Sequence, residues 1–61
     1  MILYKVTITF KDDRELELLA RYTELDAKTN RLICHLVGDK SEYYIIIMLD
    51  TVRTYRIEEI R

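Results

Sequence analysis

Tyr43-Tyr44-Ile45-Ile46-Ile47-Met48-Leu49 is the stretch of sequence on which the fold of this chain depends. It is the densest run of β-branched and aromatic residues, which are the residue types enriched in β-strands. The run is apolar on both parities, so a strand built from it needs cover on both of its faces. We therefore expect it to form the central strand of a β-sheet.

The beginning of the chain has the clearest strand pattern. From Ile2 to Phe10 apolar and polar residues alternate, which is the period-2 pattern of a half-buried strand. The apolar members are Tyr4, Val6, Ile8 and Phe10, and the polar members are Lys5, Thr7 and Thr9. The polar segment 11–14 follows, where aspartates can accept local backbone hydrogen bonds. The sequence thus predicts a first strand followed by a turn.

Residues 15–26 fit two patterns, and the alternative between them stays open. Leu18, Tyr22 and Leu25 have the i, i+4, i+7 spacing of an amphipathic helix, and the start of the segment resembles a capping box. Read as a strand, the segment alternates between apolar and polar residues, and only Leu19 breaks the alternation. A β-bulge at Leu19 would return Leu25 to the inner side. The short polar link to the first strand favours a hairpin, so we predict a second strand.

The rest of the chain predicts three more strands. Asn30 can adopt the positive φ that a hairpin loop often requires, and the only glycine, Gly38, lies in a later turn. The predicted elements are, in order, a turn over 26–30, a strand over 31–37, a turn over 38–41, a strand over 43–49, a helical turn at 50–52 and a strand over 53–60.

The strand pattern predicts an all-β fold and a single small domain over residues 1–61. Five short strands with hairpin links, and one short helical turn before the last strand, resemble a small antiparallel SH3-like or Sm-like barrel, or an open five-stranded meander. The resemblance concerns the architecture alone. It implies no functional residues, because no family motif accompanies it.

The composition limits the chemistry that the chain can carry. Ten basic and eleven acidic residues give a net charge of −1, so there is no bulk attraction to nucleic acid or to anionic membranes. One cysteine, Cys34, and one histidine, His35, cannot form a disulfide or a closed four-ligand zinc site within one chain. The apolar start of the chain meets Lys5 before it reaches the length of a signal peptide. We expect a cytoplasmic protein without a metal or cofactor.

Catalytic residues are not predicted. Cys34 and His35 are adjacent, and neighbours in a strand point to opposite faces, so thiol and imidazole cannot meet. A single glycine excludes Gly-rich phosphate loops. No pair of carboxylates stands out for acid/base work, and a chain this small rarely forms a deep pocket for a small-molecule substrate. The sequence therefore favours a non-enzymatic protein.

The 43–49 run supplies the residue-level prediction about function. If its odd-numbered residues face the core, Tyr44, Ile46 and Met48 face outward, and so apolar a second face indicates a binding surface. We predict that these three residues contact a protein partner or a second copy of the chain, as a homodimer. The alternative that a closed barrel or the turn after the run covers them stays open.

Nucleic-acid binding is the alternative of a different class. Small β-barrels bind nucleic acid with aromatic side chains on a strand surface flanked by basic groups. The candidates are Arg31, Arg53, Tyr55 and Arg56. Against this, the basic residues are matched in number by acidic ones. A protein-binding adaptor or regulator of the bacterial or phage type therefore remains the first prediction.

Overall fold

The computed structural model describes residues 2–36 and 43–60. In this part of the chain five antiparallel strands form one sheet, and a single 3₁₀ turn precedes the last strand. The strands are β1 (Leu3–Phe10), β2 (Glu15–Asp26), β3 (Arg31–Leu36), β4 (Tyr43–Met48) and β5 (Val52–Ile60), and the 3₁₀ turn is Leu49–Thr51. The predicted all-β class is confirmed. The predicted last residue of the third strand, Val37, and the predicted turn over 38–41 lie outside the described residues.

The strand order is β4-β3-β2-β1-β5, so the sheet is a meander with β5 added beside β1. Among the described residues no ladder joins β4 to β5, and these two strands form the edges. The prediction that the 43–49 run is the central strand is therefore wrong. Apolar residues on both faces of a strand predict burial of both faces, whereas only one face of β4 packs on the core.

β2 is the long strand that organises the sheet. Its first half pairs with β1 and its second half pairs with β3, with a register shift between Ala20 and Tyr22. The helical alternative for this segment is wrong, and so is the predicted bulge at Leu19, which is exposed and pairs with Lys5 in regular register. The register shift after Ala20 places Leu25 on the core side, opposite Leu32, which is the effect expected of a β-bulge.

The core is formed on one side of the curved sheet. Val6 and Ile8 of β1 are completely buried, as their alternation predicted. The buried set is Val6, Ile8, Ala20, Leu32, Cys34, Leu36 and Ile47, and the half-buried residues packed against it are Phe10, Leu16, Leu18, Ile45, Leu49 and Val52. A core of this size is what a 61-residue chain can form, because small domains bury a low fraction of their surface.

Two turns use aspartate and asparagine in place of glycine. Asp13 and Asn30 have φ of 71° and 55°, in the region that these residue types tolerate best among non-glycine residues. The positive φ predicted for Asn30 is confirmed. Asp12 accepts a hydrogen bond from the backbone N–H of Arg14 at 3.1 Å, and Asp26 accepts one from that of Lys28 at 3.1 Å. These side-chain bonds close the turns between β1 and β2 and between β2 and β3.

The 3₁₀ turn fixes the passage from β4 to β5. It begins one residue before the predicted position, at Leu49, whose N–H donates to the carbonyl of Asn30 at 3.0 Å. The Thr51 carbonyl accepts a hydrogen bond from Lys11 N–H at 2.9 Å, and the Thr51 hydroxyl donates to the Met48 carbonyl at 2.7 Å. The turn is thus bonded to the β2–β3 turn on one side and to the end of β1 on the other.

Candidate functional site

The outer face of β2, β3 and β4 carries the candidate site. Ladder partners in an antiparallel sheet lie on the same face, so the register sets three side chains side by side in each of three rows. We call these nine residues the outer patch. The first row is Tyr22, His35 and Tyr44, the second is Glu24, Ile33 and Ile46, and the third is Asp26, Arg31 and Met48.

The first row is a stack of rings that crosses three strands. The rings of Tyr22 and His35 lie 4.1 Å apart between centroids and are nearly parallel, at 15°. The rings of His35 and Tyr44 lie 5.8 Å apart at 43°. The second separation is within the range of roughly 4.5–7 Å that favours aromatic contacts, and the first is closer still, so each ring restrains its neighbour. The row therefore offers three adjoining, preorganised rings, of which the third is tilted.

A carboxylate lies next to the middle ring of the stack. His35 Nε2 is 3.4 Å from Glu24 Oε1, which is an ion-pair distance once the imidazole is protonated. The His35 side chain is half-buried between its two tyrosine neighbours, whereas Glu24 is exposed. The contact lies at the junction of the first and second rows.

The second row forms the floor of a shallow depression. Ile33 is half-buried and Ile46 is exposed at 41%, and the depression has a volume of about 250 Å³. Its lining residues are Glu24, Arg31, Ile33, His35, Tyr44 and Ile46. Pockets for drug-sized molecules usually have roughly 300 to 1,000 Å³ and enclose their ligand. An open depression of this size suits one or two side chains of a macromolecule.

The three predicted contact residues all lie on this patch. Tyr44 is 60% exposed and Met48 is 47% exposed, in two different rows, with Ile46 between them. Their predicted orientation away from the core is confirmed, and their role in an interface stays a prediction. On the core side of the same strand Ile47 is only 6% exposed. One face of β4 therefore packs on the core, and the other face is exposed.

Sequence reasoning missed Tyr22, Ile33 and His35 as members of the patch. Ile33 and His35 have the same parity in β3, and this parity can be read from the sequence alone. Tyr22 joins them only because the register shift after Ala20 moves it to the outer side. A sequence pattern could have found the β3 residues, but not the position of the bulge.

The third row carries opposite charges that face each other. Arg31 Nη2 lies 3.9 Å from Asp26 Oδ2. A hydrogen bond from the Thr29 hydroxyl is the largest effect that holds the pKa of Asp26 below its ordinary value of 3.8, and backbone N–H groups of the turn and Arg31 add to it. The row therefore carries an arginine together with an ionised partner at neutral pH, and the patch as a whole is close to neutral.

The structure does not bring the four nucleic-acid candidates together. Arg31 lies on the outer patch, whereas Tyr55 and Arg56 lie on β5 and line a depression of about 360 Å³ beside β1. Arg53 follows the 3₁₀ turn and forms an ion pair with Asp13. The other two arginines also have carboxylate neighbours, Asp26 for Arg31 and Glu58 for Arg56 at 3.1 Å. Each arginine is thus locally neutralised.

Groups for covalent chemistry are separated in the described part of the chain. Cys34 is completely buried on the core side, and burial raises the pKa of its thiol above the ordinary value of 9.0. His35 lies on the opposite face of β3, as adjacent strand residues must. Residues 2–36 and 43–60 contain no cluster of three or more His, Cys, Asp and Glu side chains that could hold a metal ion. The same residues include no helix long and apolar enough to cross a membrane.

Another depression lies between the β1–β2 turn and the 3₁₀ turn. It has a volume of about 370 Å³, and Arg14 covers the ring of Phe10 beside it at 5.6 Å. The backbone N–H of Arg14 is the largest effect that lowers the pKa of Asp12 below 3.8, with the guanidinium adding to it. The charged groups here, Asp12 and Arg14, bond to each other and close the turn.

Comparison with known proteins finds no family model that matches the chain, and no curated protein or solved structure with significant similarity.

Proposed function

We propose that the chain is a small non-enzymatic binding module that recognises a protein surface through the outer patch. The observation that carries the proposal is the composition of this face, on which a fixed stack of three rings adjoins exposed Ile46 and Met48. Aromatic residues and methionine are enriched in protein interfaces, and charged residues are depleted at their centres. In the outer patch Asp26 and Arg31 form an ion pair in the third row, and Glu24 lies at the β2 end of the second row.

The fold itself does not require this surface. The core lies on the opposite side of β3 and β4, and the outward residues add nothing to its packing. A partner that covers the exposed isoleucine, methionine and tyrosines is bound more tightly, because each apolar side chain that is buried contributes about 1.5–3 kcal/mol. Single exposed apolar residues are common, but a contiguous group of them marks a contact region.

The proposal extends to the role that such a module has in the cell. A chain of 61 residues that binds through one face acts as an adaptor, inhibitor or regulator of a larger protein, or associates with its own copy. The single thiol suits a reducing compartment, so we place this activity in the cytoplasm.

An affinity experiment with matched variants tests the proposal. Wild-type chain, Ile46→Asp, Tyr22→Asp and Thr54→Asp are immobilised and exposed to extract of the cells that produce the chain. Thr54 is exposed on β5, away from the patch, so Thr54→Asp is the control for adding a carboxylate to a strand surface. We expect a bound protein that wild type and Thr54→Asp retain and that both patch variants lose.

Circular dichroism and urea midpoints must show that all four chains are folded. Binding that survives both patch variants contradicts the proposal, and so does binding that Thr54→Asp loses equally. A bound protein that proves to be the chain itself identifies the partner as a second copy.

Nucleic-acid binding is the second candidate, since Arg56 lines a polar depression together with three threonines and Glu15. A guanidinium in such a depression can contact a nucleic-acid phosphate, whereas the ring of Tyr55, which pairs with Ile8, lies on the other face of β5 and does not stack beside it. Gel-shift titration at two salt concentrations, with Arg56→Ala as the variant, tests it. Binding at low salt that weakens with salt and with Arg56→Ala supports this candidate, and no shift at low salt contradicts it.

A further inference from the structure

β4 is an edge strand without the features that usually protect an edge. Within the described residues its ladder partner is β3 alone, and that ladder runs without a register shift. Tyr43–Met48 contains no charged residue, no proline and no glycine. Natural edge strands are generally protected by charges, prolines, bulges or covering elements, because a bare edge pairs with other strands. The edge of β4 can therefore pair with another strand.

The core side of β4 gives an independent reason. Ile45 faces the core yet is only half-buried, and Tyr43 on the same side is exposed, because the sheet ends at this strand. A strand added beyond β4 would bring apolar side chains next to both faces at once. It would extend the core on one side and the outer patch on the other.

We propose that two copies of the chain pair through β4, antiparallel, so that their two sheets merge into one continuous sheet. The inference rests on the proposed function, because it names a second copy as the partner that the β4 residues of the outer patch, Tyr44, Ile46 and Met48, contact. An antiparallel pair of identical strands is related by a two-fold axis perpendicular to the sheet, which keeps the outer faces of the two copies on one side. A closed dimer results.

The register follows from the exposed residues. Directly opposite residues of an antiparallel pair lie on the same face, so each residue of β4 must pair with a residue of the same parity in the second copy. The midpoint of every such pair is then one residue, and the two-fold axis passes beside that residue. With the axis at Ile46, this residue stands opposite its own copy, and Tyr44 stands opposite Met48 of the second chain. This register pairs all three exposed outer residues with one another. It also places a thioether beside a tyrosine ring, which is a favourable contact.

The charge pattern favours a second copy over a charged peptide. A strand that pairs with itself places equal residues near each other, and like charges directly opposite are destabilising. β4 has no charge to repel its copy and none to attract a charged partner. β5, the other edge, carries Arg53, Arg56, Glu58 and Glu59.

Charge complementation at position 46 tests the pairing on the purified chain alone. Sedimentation equilibrium measures the mass of wild type, Ile46→Asp, Ile46→Lys and an equimolar mixture of the two variants, up to about 1 mM chain. We expect wild type to form a dimer, and each variant alone to dimerise roughly a hundredfold more weakly, because like charges then face each other. The mixture should recover most of the loss, because Asp then faces Lys.

Three outcomes contradict the pairing. A monomeric wild type at the highest concentration overturns it, and a mixture that stays as monomeric as its components overturns the two-fold register. A mass that grows beyond the dimer indicates a head-to-tail contact and overturns the symmetric pair.

Tyr22→Asp separates this inference from the proposed function. Tyr22 lies on β2 in the outer patch, two strands from the β4 edge. The variant should leave the dimer mass unchanged while it removes a partner that binds the face. A monomer whose capture of another protein depends on Tyr22 therefore rejects the pairing and supports the proposed function. A dimer that Tyr22→Asp dissociates rejects pairing by the edge.

Discussion

The two edges of the sheet, β4 and β5, solve the same physical problem in different ways. Each ends the hydrogen-bonded ladder and each has apolar side chains on its core side. β5 carries four charged residues, and a register shift interrupts its pairing with β1 between Thr9 and Phe10. Glu59 even points to the core side, opposite Tyr4. These are recognised means of preventing edge-to-edge association.

β4 has none of these features in its six residues. The comparison shows that a chain of this composition can protect an edge, since it does so at β5. Exposed large apolar residues also occur elsewhere, for example Leu25 on β2 and Tyr55 on β5. β4 differs because four of its six residues, Tyr43, Tyr44, Ile46 and Met48, are of this kind and none of the six is charged.

The largest expected contrast between the two regions concerns thiol reactivity. Cys34, which pairs with Ile45 of β4, is completely buried and its pKa is raised, so it should react with a thiol reagent only when the domain opens. A cysteine introduced by Thr54→Cys on exposed β5 should react about a thousandfold faster. Timed labelling followed by mass spectrometry measures both rates. In urea the two thiols should react alike, and rapid native labelling of Cys34 would show that the β3–β4 interior is open.

The next contrast is between the core-side isoleucines of the two edges. Ile47 of β4 is 6% exposed and Ile57 of β5 is 38% exposed. Ile47→Ala should lower the free energy of unfolding by about 3 kcal/mol, because it removes buried volume, and Ile57→Ala by about 1 kcal/mol. Urea denaturation of both variants, followed by circular dichroism, gives the two values. Equal losses would mean that β5 contributes to the core as much as β4 does.

The sequence predicted the strands well because their signals are local. Alternation in β1 and the turn residues Asp26 and Asn30 depend on neighbours within a few positions, and the structure confirms them. The long β2 was less certain, because Leu18, Tyr22 and Leu25 also fit a helix. Pairing with strands on both sides decides this segment, and pairing is a property of the whole sheet.

The position of β4 in the sheet and the extent of the outer patch could not be read from the sequence. Hydrophobic content cannot distinguish a strand covered on both faces from an edge strand with one binding face. Tyr44, Ile46 and Met48 were found because parity within one strand is local. Their neighbour Tyr22 was missed because its place beside His35 depends on the register between β2 and β3, which the bulge after Ala20 sets.

A smaller effect is expected when three of the four charges of β5 are removed. The triple variant Arg56→Thr, Glu58→Thr and Glu59→Val removes the charges from the second half of the strand, with β-formers in their place. We expect association to strengthen roughly tenfold and the mass to grow beyond a dimer with concentration, since each molecule then has two bare edges. Light scattering over a concentration series measures this. A variant that keeps the wild-type mass would show that charge does not protect β5.

The smallest effects are expected in the two turns that support these edges. The folded state lowers the pKa values of Asp26 and Asp12 below 3.8, through Thr29 and Arg14 respectively. A carboxyl with a lowered pKa stabilises the fold above its unfolded-state pKa, and this contribution is lost as the pH falls through the folded-state value. Asp26→Asn and Asp12→Asn keep an oxygen that can accept the turn hydrogen bonds and remove only the charge.

Both amide variants should therefore have slightly lower urea midpoints than wild type at pH 7, and the difference should shrink as the pH falls through the lowered pKa values of the two aspartates, because wild type then loses the same charge. The turn of Asp26 leads to Asn30, which holds the end of β4, whereas Lys11, beside Asp12, bonds to Thr51 before β5. Asp26 also pairs with Arg31 in the outer patch, so only Asp26→Asn should alter a contact made through that patch. A midpoint difference that persists unchanged in acid would mean that packing in the turn, and not the carboxylate charge, accounts for the loss.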